Sequence, residues 1–271
     1  MAEGRFSNLE FGDGGEAPAP VAGSAVAAPR AEQPFASELK DADYYLRQAE
    51  AQELEGNHDA ALRSFSAALG ENPLLLDAWV GQLRMLLELD EYPEARLWAD
   101  KALEKFPNHA LVLAAKSLAV LRMGMRRDAR VLNDAAVQGK GEWPLVWLAR
   151  GELMMAESPA AATECLNRAL RLASPRGPCL LEIGSLLLRQ HHYAVALSAL
   201  QRAAAELPNA ARAWFLLGCA QRELGLGEPA RVSFQQAQRL APRIALYREA
   251  ADERPGLFTW LKRFFRRLRR R

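Results

Sequence analysis

Cysteine and histidine are scarce in this chain, three and four among 271 residues. Cys165, Cys179 and Cys219 are odd in number, lack C-x-x-C spacing and fall among small or apolar helical positions. A disulfide framework or a zinc site is therefore a poor reading, and small buried hydrophobes in a reducing compartment are the better one. His191 and His192 have no carboxylate or cysteine next to them in sequence, and His58 and His109 stand alone. All four read as turn residues. No nucleophile–base pair, phosphate-cradling glycine loop or zinc-ligand spacing is found, so no catalytic, metal or cofactor site is expected and an enzyme is disfavoured. Long apolar runs are also missing, and none approaches the ~18 residues of a spanning helix. The opening MAEGRFSNLEFG lacks the basic-then-apolar order of a secretory leader, and Val21–Ala28 is too broken to supply its apolar core. A cytoplasmic location is expected.

Acid is absent from the end of the chain. After Glu253 come Arg254, Lys262, Arg263, Arg266, Arg267, Arg269, Arg270 and Arg271, and no Asp or Glu. The net charge of +2 thus hides an asymmetry, because the first 253 residues hold 27 basic and 33 acidic groups. Such a tail suits a polyanion, either an anionic membrane surface or nucleic acid. Apart from this the composition is globular, with 50% apolar and 25% charged residues.

What is abundant is a repeated pattern. Residues 211–242 read ARAWFLLGCAQRELGLGEPARVSFQQAQRLAP, a helix, a Gly/Pro turn and a second helix. Trp214, Leu217 and Gly218 are followed by Ala230, Phe234, Ala237 and Pro242. Pro73 and Pro107, like Pro208 and Pro242, lie 34 residues apart. The first repeat uses Tyr45, Ala61, Phe65, Ala68 and Pro73, and the second Trp79, Ala95, Ala102 and Pro107. A weaker third uses Leu113, Gly124, Ala129 and Ala136. The fourth carries Trp147, Gly151, Ala162, Leu166 and Ala169, and is one residue short at Glu157-Ser158-Pro159. Leu180, Gly184, Tyr193, Ala196, Leu200 and Ala203 mark the fifth. The period assigns Trp79, Trp147 and Trp214 to the core rather than to a stacking platform.

This pattern closely resembles the tetratricopeptide repeat, with its W-x-x-L-G, A-x-x-x-F and terminal Pro. The resemblance covers roughly residues 42–242 and implies an all-α, right-handed α-solenoid of about six helix pairs. Residues 243–253 have the length and polarity of a capping helix. In this family the first helices line a concave ligand face. Residues there include Leu46, Val80, Ala114, Leu148, Leu181 and Phe215, then Glu50, Arg84, Leu118, Glu152, Ser185 and Cys219, then Glu53, Leu87, Leu121, Met155, Leu188 and Arg222. Chaperone-binding members grip a carboxylate with Lys and Asn at such positions, and this chain has neither there. Leu118, Leu121, Leu148, Met155, Leu181, Leu188 and Phe215 instead suggest an apolar groove for a peptide or helix of a protein partner. Packing between adjacent first helices is the other reading of the same residues.

Two segments flank the solenoid. Residues 1–41 form an N-terminal arm in which Phe6, Leu9 and Phe11 precede a Gly/Ala/Pro/Glu stretch at 12–34 with little to bury. RFSNLEF is either a short docking motif or an uninformative leader. At the other end, residues 254–271 contain LFTWLKRFFRRLRRR. At ~100° per residue, Phe258, Trp260, Leu261, Phe264, Phe265 and Leu268 share one half of a helical wheel. Lys262, Arg263, Arg266, Arg267, Arg269, Arg270 and Arg271 share the other. A basic amphipathic C-terminal helix of this kind suits an anionic membrane interface. Nucleic acid, docking on protein and nuclear import are alternatives, but phosphate contacts need no segregated apolar face. The sequence thus points to a non-enzymatic adaptor or assembly scaffold, with a bacterial cast to its Ala-, Leu- and Arg-rich composition. It is expected to bind a peptide or helix in its groove and to sit peripherally at the cytoplasmic face of an anionic membrane. The alternatives are a nucleic-acid-associated adaptor, or a self-assembling scaffold whose RFSNLEF enters a neighbour's groove. The sequence does not fix the oligomeric state.

Overall fold

The computed structural model describes residues 40–139 and 142–252. Among these are thirteen helices and no strand. The first helices of the six pairs are α1 (Ala42–Glu55), α3 (Leu76–Glu88), α5 (Ala110–Arg122), α7 (Pro144–Met154), α9 (Arg176–Arg189) and α11 (Ala211–Glu223). Their partners are α2 (His58–Glu71), α4 (Tyr92–Lys105), α6 (Arg126–Gln138), α8 (Pro159–Leu172), α10 (Tyr193–Glu206) and α12 (Gly227–Leu240). A short α13 (Ala245–Ala251) closes the series. The arm before Lys40 and the tail after Asp252, with their motif and helix, lie outside the described residues.

The helix ends follow from local chemistry. Asp41, Asn57 and Ser158 each accept a backbone N–H from the first turn of the helix they precede, which satisfies a donor that the helix cannot. Between paired helices the chain must turn through the left-handed region. It does so at Gly56, Asp90, Gly124, His191 and Gly225, which recur at 34 residues apart from the gap spanning the shortened fourth repeat. Glycine adopts this conformation freely. Asp90 and His191 do not, and each is tied down by the tyrosine two residues on. Tyr92 Oη donates to Asp90 at 2.5 Å, and His191 Nδ1 lies 2.7 Å from Tyr193 Oη. The shortened fourth repeat has no such turn.

Packing explains the small residues. Every second helix carries two buried alanines seven apart: Ala61/Ala68, Ala95/Ala102, Ala129/Ala136, Ala162/Ala169, Ala196/Ala203 and Ala230/Ala237. They lie on one helix face and let the backbones approach. The glycine of the first helix meets the large residue of its partner. A Cβ at Gly218 would sit 2.6 Å from Phe234 Cε1, and one at Gly151 2.7 Å from Leu166 Cδ2. Trp79 and Trp214 donate their indole N–H groups to the carbonyls of Pro73 and Pro208, each at 2.9 Å. The repeated Pro and Trp are therefore one hydrogen-bonded unit. Trp79 is buried, whereas Trp147 and Trp214 are only half-buried at the margin of the core. Burial divides into two main clusters, one in the first half of the solenoid and one from α7 through α13.

The solenoid closes on itself. Each first helix touches the next, and α11 also touches α1. The six first helices therefore form an inner ring. The helix expected merely to cap the last repeat helps to seal that ring. Tyr247 of α13 donates to the Glu55 carbonyl at 2.7 Å and packs on Phe215 with ring centroids 4.7 Å apart.

Substituting Gly218→Ala is expected to cost about 1–3 kcal/mol in urea unfolding, because the Phe234 ring must leave its position. Adding Phe234→Leu should return part of that loss; a cost no smaller than the sum of the two single changes would contradict the contact.

Candidate functional site

Charged residues, not leucines, meet at the axis of the ring. Each first helix supplies at least one: Glu53 from α1, Arg84 and Glu88 from α3, Arg122 from α5, Glu152 from α7, Glu182 and Arg189 from α9, and Arg212 from α11. Four guanidinium groups face four carboxylates, so the cluster is neutral. Some pairs join neighbours, as Arg84 does Glu53 and Arg122 does Glu152, the latter by two bonds of 3.0 and 2.9 Å. Others cross the axis. Arg212, 3% exposed, reaches Glu88 at 3.0 Å across the axis as well as Glu182 of the neighbouring α9 at 2.7 Å, while Arg189 places two nitrogens 3.1 Å from Glu88 Oε1.

Titration follows from this geometry. Burial would raise the Glu88 carboxyl, but Arg189 and Arg212 overcome it and hold the group well below its usual range. Glu152 is likewise lowered, as Arg122 outweighs its burial. At Glu53 burial outweighs Arg84, and the carboxyl is raised. Burial and the nearby charge of Arg212 push the His58 imidazole down to about 4. His58 is therefore a neutral, half-buried residue facing the axial cluster, not a solvated turn residue. The turn reading does hold for His191, which is exposed at the α9–α10 turn, and for His109, which caps α5 by accepting from Leu111 N. Burial also pushes the Cys179 and Cys219 thiols up to about 12, consistent with their use as small apolar side chains.

At the end of the ring where the first helices finish, the axis opens into a cavity of about 380 Å³. Arg122, Arg126 and Arg189 line it with Tyr92 and His191, and Glu152 is the one carboxylate of its lining. Arg126 is the more exposed arginine and lies 3.6 Å from Glu157. Among the expected groove residues, Leu118, Leu148, Leu181, Leu188 and Phe215 are buried in the core clusters. Leu121 and Met155 are half-buried and reach this cavity. The structure thus brings two of the seven together in an open site. Trp260, Lys262, Arg263, Phe264, Phe265, Arg266, Arg267, Arg269 and Arg270, with Phe6, Leu9 and Phe11, lie outside the described residues.

Sequence reasoning placed Glu53, Arg84 and Glu152 on the concave side but did not single out Glu88, Arg122 or Arg189. A signal for these exists: each stands nine residues after its repeat's anchor, Trp79, Leu113 or Leu180. Among the described residues no group of three or more His, Cys, Asp or Glu is arranged to hold a metal ion, and no helix is long and apolar enough to cross a membrane.

The family described as Tetratricopeptide repeat matches residues 46–110 and 181–243, the first two and last two helix pairs. The chain thus carries tetratricopeptide repeats in both of these regions. Such proteins bind peptide or protein partners, and the architecture is that of an interaction scaffold or adaptor. No curated protein sequence matches the chain. Among solved structures, it is similar to a tetratricopeptide repeat protein from Parabacteroides merdae ATCC 43184, at 15% identity over 80% of this chain and 86% of that one, with a TM-score of 0.48. It is also similar to YrrB, a TPR protein with an unusual peptide-binding site, at 21% identity over 69% and 97% of the two chains, TM-score 0.41. A chain of the APC/C hetero-tetramer Cut9-Hcn1 matches at 16% identity over 80% of this chain, TM-score 0.47. This chain spans only 43% of that last one.

The axial cluster makes stability pH-dependent. A histidine held neutral contributes stability that is complete above its ordinary value of 6.5 and is lost as pH falls towards about 4. The lowered Glu88 contributes above its ordinary value of 4.5 and is lost at still lower pH. Urea midpoints measured from pH 8 to pH 3 should therefore fall in two stages. His58→Gln should remove the upper stage and leave the lower; an unchanged upper stage would contradict the assignment.

Proposed function

We propose that this protein is a non-enzymatic adaptor that takes an acidic peptide segment of a partner at the open end of its ring. In this reading residues 254–271 bring it to the cytoplasmic face of an anionic membrane. The observation that carries the first part is the charge of the mouth. Three arginines line a cavity whose lining includes a single carboxylate, next to the half-buried apolar surface of Leu121 and Met155. An acidic segment gains charge-assisted hydrogen bonds from guanidinium groups there, and a basic one is repelled. Arg122 and Arg189 are committed to buried pairs with Glu152 and Glu88, whereas the more exposed Arg126 shares Glu157 with Arg130, so Arg126 carries the discrimination.

The membrane part rests on the tail sequence. Its seven basic residues from Lys262 onward, opposite six large apolar ones, supply about 1 kcal/mol each near an anionic surface. That suffices for reversible recruitment, and binding should weaken with salt.

Two measurements on the purified full chain test the two parts separately. A labelled oligo-glutamate peptide should bind in fluorescence anisotropy, and Arg126→Glu should weaken it about tenfold or more, the scale of one lost charge-assisted contact. Equal binding of an oligo-lysine peptide would overturn the acidic-partner reading. In vesicle flotation the full chain should rise with anionic but not neutral liposomes, and a truncation ending at Glu253 should rise with neither. Flotation of the truncation would refute the tail's role.

A further inference from the structure

The junction between the fourth and fifth repeats differs from the others. Elsewhere a second helix runs closely along the next first helix, as α2 does with α3 and α10 with α11. Here α8 and α9 scarcely touch. The gap is an apolar cleft of about 360 Å³ on the outside of the ring, between α8 and α10 and floored by α9. Leu166 and Leu170 form one wall, Ile183 and Leu187 the floor, and Val195 and Arg202 the other wall; Leu166, Ile183 and Leu187 belong to the buried core, and Leu170 is half-buried. Val195 is 61% exposed. The cleft is separate from the mouth, although Met155 borders both.

We propose that the α8–α10 cleft is the docking site of the chain's own N-terminal segment RFSNLEF, with Phe6, Leu9 and Phe11 seated on Leu166, Leu170, Ile183 and Leu187. Three observations select this occupant. The first is supply. Before Phe35, Phe6, Leu9 and Phe11 are the only large apolar residues of the arm besides Met1 and two valines, and they fall within six positions. The second is charge. Arg202 and His192 line the cleft and no acidic residue does. Residues 1–39 hold six acids and two bases, with Glu3, Glu10 and Asp13 beside the motif. The other apolar segment outside the described residues, the tail, has eight bases and no acid after Glu253, so the same rim disfavours it. The third is reach. Twenty-eight residues lie between Phe11 and Lys40. A flexible chain of that length spans about 30 Å on average and about 100 Å when extended. A domain of this size is about 45 Å across, so the motif reaches the cleft on its own molecule.

Docking would complete the interface that α8 and α9 leave open, adding the apolar contact the other junctions obtain from adjacent helices. A partner for the same cleft would have to displace a tethered segment present at an effective concentration in the millimolar range. The proposal stands independently of the acidic-peptide and membrane readings.

The test compares the full chain with a Phe6→Ala/Leu9→Ala/Phe11→Ala variant and a Val195→Glu variant by hydrogen exchange. Val195 is exposed, so its substitution leaves the fold intact, which circular dichroism checks. Amides of α8 and α10 should exchange faster in both variants, by about tenfold or more, with α2 and α4 unchanged. A labelled peptide of residues 1–13, added to a protein lacking those residues, should bind saturably. It should lose that binding on Val195→Glu, whereas a peptide of residues 256–271 should not compete. Sedimentation of the full chain as a monomer in the protected state assigns the contact to one molecule. Unchanged exchange in both variants, binding of the tail peptide at the cleft, or protection only in a dimer would each overturn the proposal.

Discussion

The position of Arg212 constrains the rest of the ring. It belongs to the last repeat, is almost wholly buried, and reaches Glu182 of the fifth repeat and Glu88 of the second. A solenoid ordinarily lets each repeat touch only its neighbours. Here Arg212 and Arg189 are largely withdrawn from water and both find Glu88 across the ring, while Arg84 and Arg122 also pair with carboxylates of neighbouring helices. The curvature that brings α11 to α1 permits the pairing across the ring. Such pairs add little net stability, because desolvation offsets attraction, yet losing one partner costs several kcal/mol. Their effect is therefore to exclude alternative curvatures rather than to strengthen the fold. The apolar clusters and the alanine-lined helix contacts supply the stability.

Closure determines where function can sit. Much of the concave surface that an open solenoid would offer to a peptide is occupied here by its own ion pairs. The surfaces proposed for partner contacts therefore lie elsewhere, at the mouth, whose lining holds three arginines and one carboxylate, and at the outer cleft of the loose fourth junction. The mouth and the cleft differ in chemistry, the first lined by arginines and the second apolar with a basic rim. A scaffold with sites of different character can hold different partners without their competing for one groove.

The sequence made the repeats legible because each signature residue answers a local packing rule. Gly218 faces Phe234, Ala230 and Ala237 share a face, and Trp214 reaches Pro208. All of these contacts lie within one repeat or at its entry, so periodicity reports them. Ring closure is not local. Glu88 and Arg212 are 124 positions apart, and no period links them. Tyr247 looked like part of a terminal cap because its partner, the Glu55 carbonyl, is a backbone atom at the opposite end of the chain. The groove residues illustrate a further limit: Leu148 and Leu181 stand beside the ring interior, but burial among neighbouring helices depends on curvature, which small offsets between repeats set. His58 reads in sequence as an isolated turn residue for the same reason, since the burial that chiefly depresses it and the added charge of Arg212 from the sixth repeat both arise only in the closed ring.

Closure through the axial charges is most directly tested by a double-mutant cycle between the second and sixth repeats. Glu88→Gln, Arg212→Met and the double variant would be compared in urea unfolding. The closed ring predicts a coupling energy of about 1–3 kcal/mol, the double variant being much less destabilised than the two single changes summed. Additivity within about 0.5 kcal/mol would mean that these residues do not meet in solution, and the solenoid would then be open.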